Sequence, residues 1–123
     1  LIIPGGNGIQ EYELQNSNTL EWIKAQSKQV PIIASVCTGA LLLGAIGILD
    51  NKKATTHHEH LEELKSLCPS VELVENATFV DQGNVLTSAG IATGIDLSLH
   101  LVSRLFGEPA AKQTAKTIAF KYS

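Results

Sequence analysis

The chain has 123 residues, of which 44% are hydrophobic, and a formal net charge of −3 at pH 7. This length suits one domain with a real core, so we assign residues 1–123 to a single domain. The nine lysines and arginines are scattered, which argues against nucleic-acid binding by this segment. No apolar run is long enough to span a membrane, and no signal-peptide pattern follows Leu1. We therefore expect a cytoplasmic protein without membrane attachment.

The predicted secondary-structure elements alternate between strands and helices. Strands are predicted at residues 1–4, 31–36, 53–57 and 71–74, with a hairpin at residues 78–88. Helices are predicted at residues 19–28, 38–49, 59–67, 95–106 and 108–120. This alternation is typical of an α/β layer fold with a mostly parallel sheet. Ligands bind at the carboxyl ends of such strands, where three loops are expected: residues 5–8, 37–39 and 88–94.

The segment Ser35-Val36-Cys37-Thr38-Gly39 joins a predicted buried strand to a predicted buried helix. A cysteine between small residues at such a junction is typical of a nucleophile elbow. The helix dipole and the free N–H groups at the helix N-terminus favour a thiolate at Cys37. The alternative is a small hydrophobe in the core, which the pattern alone leaves equally open. Cys68 precedes Pro69 at a predicted helix end, and we expect both thiols to be reduced.

Four separated blocks of the sequence share one family pattern. They are Leu1-Ile2-Ile3-Pro4-Gly5-Gly6, Ala34-Ser35-Val36-Cys37-Thr38-Gly39-Ala40, Ala54-Thr55-Thr56-His57, and Val85-Leu86-Thr87-Ser88-Ala89-Gly90 with Thr93-Gly94-Ile95-Asp96. In this order the chain resembles the ThiJ/PfpI family of the class I glutamine-amidotransferase-like superfamily. The resemblance implies a three-layer α/β/α sandwich of the flavodoxin-like type, a small-molecule substrate or ligand, and no cofactor. It also implies a homodimer, which Trp22 and the apolar helix faces permit.

The sequence departs from the family pattern at two places. Protease-like members carry a histidine directly after the cysteine, where this chain has Thr38, which argues against a Cys-His protease mechanism. Family members also begin with a βαβ unit that carries an acidic residue hydrogen-bonded to the cysteine. We expect this N-terminal unit to be missing from the chain, which then represents the C-terminal part of the domain.

The Cys-Thr-Gly sequence at residues 37–39 is most similar to that of isonitrile hydratases and of the sensing domain of AraC-type transcription regulators. The first resemblance implies an enzyme in which Cys37 attacks a small molecule and water completes hydration to an N-substituted formamide. The second implies a small-molecule sensor without turnover. A redox stress-response protein and an amidase or protease-related enzyme are the further alternatives.

Five residues are expected around the reacting sulfur. Cys37 is the candidate nucleophile, and His57 is a candidate general base or polar neighbour. The Thr38 hydroxyl is expected to orient a water or substrate, or to cap the helix. The backbone N–H groups of Gly5, Gly6 and Thr38 are candidate oxyanion donors, although a plain turn also explains the glycines.

Two further segments were considered for binding. Gly90, Ile91 and Asp96 are candidates for the substrate pocket, with helix capping as the alternative role of Asp96. The segment His58-Glu59-His60 lacks the i, i+4 histidine pair of a zinc helix, so we expect no metal and treat both histidines as solvated.

Overall fold

A computed structural model describes residues 1–122, in which six strands and six α-helices are found. The strands are β1 (Ile2–Ile3), β2 (Ile33–Val36), β3 (Lys53–Ala54), β4 (Glu72–Leu73), β5 (Phe79–Asp81) and β6 (Val85–Ser88). The helices are α1 (Gly8–Glu11), α2 (Ser17–Ser27), α3 (Ala40–Ala45), α4 (Leu61–Leu67), α5 (Thr93–Phe106) and α6 (Glu108–Thr117). Short 3₁₀ turns lie at Glu13–Gln15, Cys37–Gly39 and His58–His60. None of these helices combines the length and the apolar character that crossing a bilayer requires.

The main sheet has four strands in the order β1-β2-β6-β5. Strands β1, β2 and β6 are parallel, with Ile2 opposite Ala34 and Ile33 opposite Val85. The hairpin strand β5 is antiparallel to β6. A separate pair, β3 and β4, is also parallel. The expected α/β fold with a mostly parallel sheet is therefore confirmed, and the carboxyl ends of β1, β2 and β6 share one edge.

Side chains that alternate along the central strands separate two cores. Ile33 and Val85 belong to a core with residues of α3 and α4, whereas Ala34 and Leu86 belong to a core with α5. Because successive residues of a strand point to opposite faces, the sheet is covered by helices on both sides. This arrangement gives the three layers that the family resemblance implied.

Helix α5 buries only part of the face that its pattern suggests. Ile95, Leu99, Val102 and Phe106 lie at helical spacing and would form one stripe. In the structure Leu99 is buried, but Ile95 and Phe106 are exposed, and Leu97 and Leu101 pack on Ala34 and Leu86 of the sheet. The helix carries apolar residues on more than one face, so packing against the sheet selects the buried face.

The predicted strand at residues 53–57 is shorter than expected. Pairing with β4 ends at Ala54, and the Thr55 N–H donates instead to the Thr87 hydroxyl at 2.9 Å. This side-chain hydrogen bond replaces a ladder bond and ties the segment after β3 to β6. The three residues Thr55, Thr56 and His57 are thereby held beside the carboxyl ends of the main sheet.

Candidate active site

Cys37 lies directly after β2, at the first position of the 3₁₀ turn that leads into α3. Its φ is +55°, a left-handed conformation that is uncommon for a residue with a side chain. Backbone strain of this kind clusters at functional sites. The thiol is 9% exposed and lines a cleft at the strand edge. The strand, the strained residue and the helix together have the geometry of a nucleophile elbow.

Two glycines let the end of β1 and the loop after it, residues 5–8, approach the elbow at Cys37. A Cβ atom on Gly5 would stand 2.9 Å from the Cys37 Cβ and 2.9 Å from the Thr38 nitrogen. A Cβ atom on Gly39 would overlap the carbonyl oxygens of Ile3 and Pro4. Because backbone atoms cannot rotate away as a flexible side chain does, these positions exclude any larger residue. Close approach, rather than a positive φ, explains Gly5 and Gly39.

The Thr38 side chain fastens the glycine loop to the elbow. Its hydroxyl accepts the Gly6 N–H at 3.0 Å and donates to the Gly6 carbonyl at 3.4 Å. Thr38 is 5% exposed, so this contact is largely screened from water. In this form the Gly6 N–H is engaged by Thr38, and the Thr38 hydroxyl serves to position the loop.

Thr56 holds the elbow from the opposite side. Its hydroxyl donates to the Cys37 carbonyl at 2.8 Å, and the residue is 1% exposed. A buried carbonyl needs a donor, and this side chain supplies one. Sequence reasoning did not assign Thr56 a role, although it lies in the Thr-Thr-His block. Its contact joins residues 19 positions apart, which no local pattern reveals.

His57 is half-buried and lines the same cleft as Cys37. Its Nδ1 accepts the backbone N–H of Glu59 at 3.2 Å. A ring nitrogen that accepts a hydrogen bond carries no proton, so this contact requires the tautomer with the ring proton on Nε2.

The cleft has a volume of about 430 Å³ and is bounded by residues from three parts of the chain. Its lining residues are Gly6, Asn7, Gln10, Glu11, Cys37, Thr38, His57, Glu59, His60 and Glu63. Three of them are glutamates, and none of the lining residues within positions 1–122 is lysine or arginine. The electrostatic potential of such a cleft favours neutral or cationic groups over anions.

The third loop does not join this cleft. Ile91 lines a separate apolar pocket of about 370 Å³ with Val36 and Ile118. Asp96 lies in another groove, and Gly90 donates its N–H to the Thr93 hydroxyl at 2.7 Å. The N-cap residue of α5 is Ala92, which makes no side-chain hydrogen bond, and Asp96 lies in the first turn of the helix. The loop leads into α5, which packs on the other face of the sheet.

Cys68, the second free cysteine, lies far from water at the end of α4. It is 0% exposed, and its Sγ donates to Asp50 Oδ1 at 3.2 Å. Burial raises the pKa of the Cys68 thiol, and the hydrogen bond to Asp50 adds to this effect. A protonated, enclosed thiol of this kind is a packing residue.

Comparison with known proteins assigns the chain to a family. The DJ-1/PfpI family pattern matches residues 1–104. Isonitrile hydratase of Pseudomonas putida is 37% identical over 112 residues, covering 91% of this chain and 47% of that protein. The HTH-type transcriptional regulator GbdR of Pseudomonas aeruginosa is 32% identical over 107 residues, covering 87% of this chain and 28% of that protein.

Solved structures show the same fold. A ThiJ/PfpI family protein from Pseudomonas syringae superimposes with a TM-score of 0.86 at 26% identity, covering 99% of this chain and 50% of that chain. The chain spans half the length, or less, of each of these three relatives. The resemblance read from the four sequence blocks is confirmed: the chain belongs to the DJ-1/PfpI family.

Proposed function

We propose that the protein is an enzyme in which Cys37 acts as a nucleophile on a small molecule, hydrating an isonitrile to an N-substituted formamide. The observation that carries this proposal is the Cys37 thiol at a strained elbow, in a cleft that it shares with His57. The 37% identity to an isonitrile hydratase supports the substrate class. A neutral isonitrile also suits a cleft lined by glutamates, in which no lysine or arginine of residues 1–122 takes part.

The reaction divides into addition and hydrolysis. The Cys37 sulfur bonds to the terminal isonitrile carbon, which takes up one proton, giving a thioimidate with a C=N bond. Water then adds across that C=N bond, placing a hydroxyl on carbon and a proton on nitrogen. The C–S bond breaks, the hydroxyl proton passes to sulfur, and the formamide leaves. Covalent attachment replaces one difficult addition of water by two easier steps.

His57 is the residue in the cleft best suited to move the proton in the first step. The proton that the isonitrile carbon takes up is the Cys37 thiol proton, and the neutral His57 ring in the same cleft can receive it from sulfur and pass it to carbon. This relay returns the ring to its neutral form, which can then act as the base that activates water in the second step. A positioned acid or base contributes about 10²–10⁴-fold to a rate.

The test is an isonitrile assay of the protein that contains this chain. We expect formamide production with the natural protein, loss of production with Cys37→Ser, and little change with the matched variant Cys68→Ser. A covalent adduct on Cys37 should be seen by mass spectrometry during turnover. Equal rates for Cys37→Ser and the natural protein would falsify the nucleophile assignment.

A sensing domain is the second candidate function, favoured by the 32% identity to the regulator GbdR. Such a domain binds a small molecule without consuming it. Calorimetric titration with an isonitrile followed by recovery of the ligand separates the two functions. Unchanged ligand after binding supports the sensor, and formamide supports the enzyme.

A homodimer and a cytoplasmic location are further proposals. Trp22 is 54% exposed and lies in an apolar groove with Leu1, Ile2 and Pro4. This exposure is that of a residue on the outer side of its helix. Light scattering of the natural protein and of Trp22→Ser tests whether this groove contributes to a dimer.

A further inference from the structure

Three potential metal ligands are gathered at the rim of the cleft. Each of three residues, His57, Glu59 and His60, offers one ligand atom, and these three atoms lie within 4.8 Å of one another. Residues 58–60 form a 3₁₀ turn, which has three residues per turn, so side chains at i and i+3 eclipse. His57 and His60 are therefore brought to the same side, with ring centroids 5.6 Å apart. The helical i, i+4 rule applied to the sequence does not detect this spacing.

His60 is already oriented as a ligand. Its Nδ1 lies 3.0 Å from Glu63 Oε2 and 3.2 Å from Gln10 Nε2. In the tautomer with its proton on Nδ1, the ring donates to the Glu63 carboxylate and the Nε2 lone pair is free. The Gln10 amide then donates to Glu63 Oε2 at 3.5 Å instead of to the ring. Metal-ligating histidines are held in this way by a carboxylate on the other ring nitrogen.

The charge of the cleft suits a cation. Glu11, Glu59 and Glu63 line it, and no lysine or arginine does among the residues described. Two imidazoles and a carboxylate are the ligand set of borderline divalent ions, and three protein ligands leave a position for water or substrate. A tetrahedral ion with bonds of about 2.0–2.1 Å needs its ligand atoms about 3.4 Å apart. Rotation of the exposed Glu59 side chain and of the half-buried histidine rings can close the remaining distance.

We propose that His57, Glu59 and His60 form a binding site for a divalent transition-metal ion such as Zn²⁺, at the rim of the cleft that holds Cys37. This site replaces the expectation, drawn from sequence spacing, that no metal binds. It does not depend on the proposed hydration. Metal binding and proton transfer are alternative states of His57. A metal on Nδ1 occupies the lone pair that accepts the Glu59 N–H, and a metal on Nε2 moves the ring proton to Nδ1, so either one displaces that hydrogen bond. Bound metal should therefore inhibit any activity that uses His57 to transfer a proton.

The test is isothermal titration with Zn²⁺ in the Cys37→Ser background, which removes the accessible thiol as a competing ligand. We expect one ion per chain, and a loss of affinity of at least about tenfold in His60→Ala and Glu59→Gln, since even partners of metal ligands contribute about 10–100-fold. Glu63→Gln should weaken binding by about tenfold for the same reason. Added Zn²⁺ should raise the melting temperature of the parent but not that of His60→Ala.

The matched control is His58→Ala. His58 stacks on His57 at 4.3 Å between ring centroids but does not belong to the ligand group. We expect the His58→Ala variant to bind Zn²⁺ with the same affinity as the parent. Circular dichroism should show that every variant is folded. Absence of binding, binding that survives His60→Ala, or an equal loss in His58→Ala would each overturn the site.

Discussion

The two cysteines are both free and both largely enclosed, yet their surroundings differ in kind. Cys37 stands at the end of a parallel strand in a left-handed conformation and faces a cleft. Cys68 ends a helix, is 0% exposed and donates to Asp50. Both exposed fractions are low, 9% for Cys37 and 0% for Cys68. Placement on the backbone, rather than the degree of burial, therefore separates a thiol that meets ligands from one that fills space.

The contacts that support the two thiols also differ. The Cys37 turn is held by backbone packing on Gly5 and Gly39 and by the Thr56 hydroxyl. Cys68 is held by core packing, where a Cβ atom added on Gly44 would stand 3.5 Å from the Cys68 Cβ. A strained turn needs neighbours that permit no other arrangement. A core thiol needs only neighbours of fitting volume.

The largest effect is expected from Gly39→Ala, which removes the packing on which the elbow depends. The new Cβ overlaps the carbonyl oxygens of Ile3 and Pro4. We expect a loss of about 3 kcal/mol in the free energy of unfolding, at the upper end of typical overpacking. Urea denaturation measures it. Gly8→Ala is the control, because a Cβ there meets nothing nearer than Tyr12 Cδ2 at 4.0 Å. Equal stability of the two variants would show that the elbow is not closely packed.

The thiols themselves should differ in reactivity. Cys37 lines an open cleft, whereas Cys68 is enclosed, with a pKa raised by burial and by Asp50. Alkylation of Cys68 requires local opening of the structure. We expect iodoacetamide to modify Cys37 at least about ten times faster, a difference equivalent to about 1.4 kcal/mol. Peptide mass spectrometry gives both rates in one sample. A faster reaction at Cys68 would reverse the comparison.

Thr56→Val sharpens the comparison by removing one contact of the elbow at constant shape. The Cys37 carbonyl loses its donor at 2.8 Å, and we expect a loss of about 1 kcal/mol in the free energy of unfolding. The rate at which iodoacetamide alkylates Cys37 should change, while the rate at Cys68 stays the same. Thr56→Ser keeps the hydroxyl and should restore the Cys37 rate. Parallel changes at both cysteines would indicate general destabilisation instead of a local role.

The smallest effect is a pH dependence that belongs to Cys68. Its pKa in the folded protein lies above the ordinary value of 9.0, because of burial and Asp50. Above pH 9 the unfolded chain therefore releases this proton before the folded chain does, and stability falls as pH rises. The stabilisation that Cys68 contributes is complete below the pKa of its thiol in the unfolded chain. It is lost as pH rises through the pKa of the thiol in the folded protein. The slope is limited to about 1.4 kcal/mol per pH unit.

Cys68→Ala should lack this dependence. The free energy of unfolding of the two proteins, measured in reducing buffer on both sides of the ordinary thiol pKa, gives the difference directly. We expect the free energy of unfolding of the natural protein to fall relative to that of Cys68→Ala, and only above the pKa of the unfolded thiol. A difference that stays constant at every pH would contradict the raised pKa of Cys68.

Sequence reasoning found the elbow because its signal is contiguous. Cys37 stands between an apolar strand and an apolar helix, and both patterns lie within a few residues of it. Thr56 escaped such reasoning, since its contact depends on a partner from a different element. His57, which the Thr-Thr-His block suggested as a neighbour of Cys37, lines the same cleft as Cys37. The roles proposed from sequence for Gly90, Ile91 and Asp96 remain predictions, and the structure places these residues outside the cleft.

The sequence by itself determined the alternation of strands and helices, the elbow at Cys37 and the family, because periodicity and motifs are properties of neighbouring residues. Only the tertiary structure decided which face of α5 is buried and on which side of the sheet the third loop lies. It also decided that residues 58–60 form a 3₁₀ turn, which brings His57 and His60 together. These outcomes depend on packing between distant segments, where several local arrangements are similar in energy and the shared core selects one.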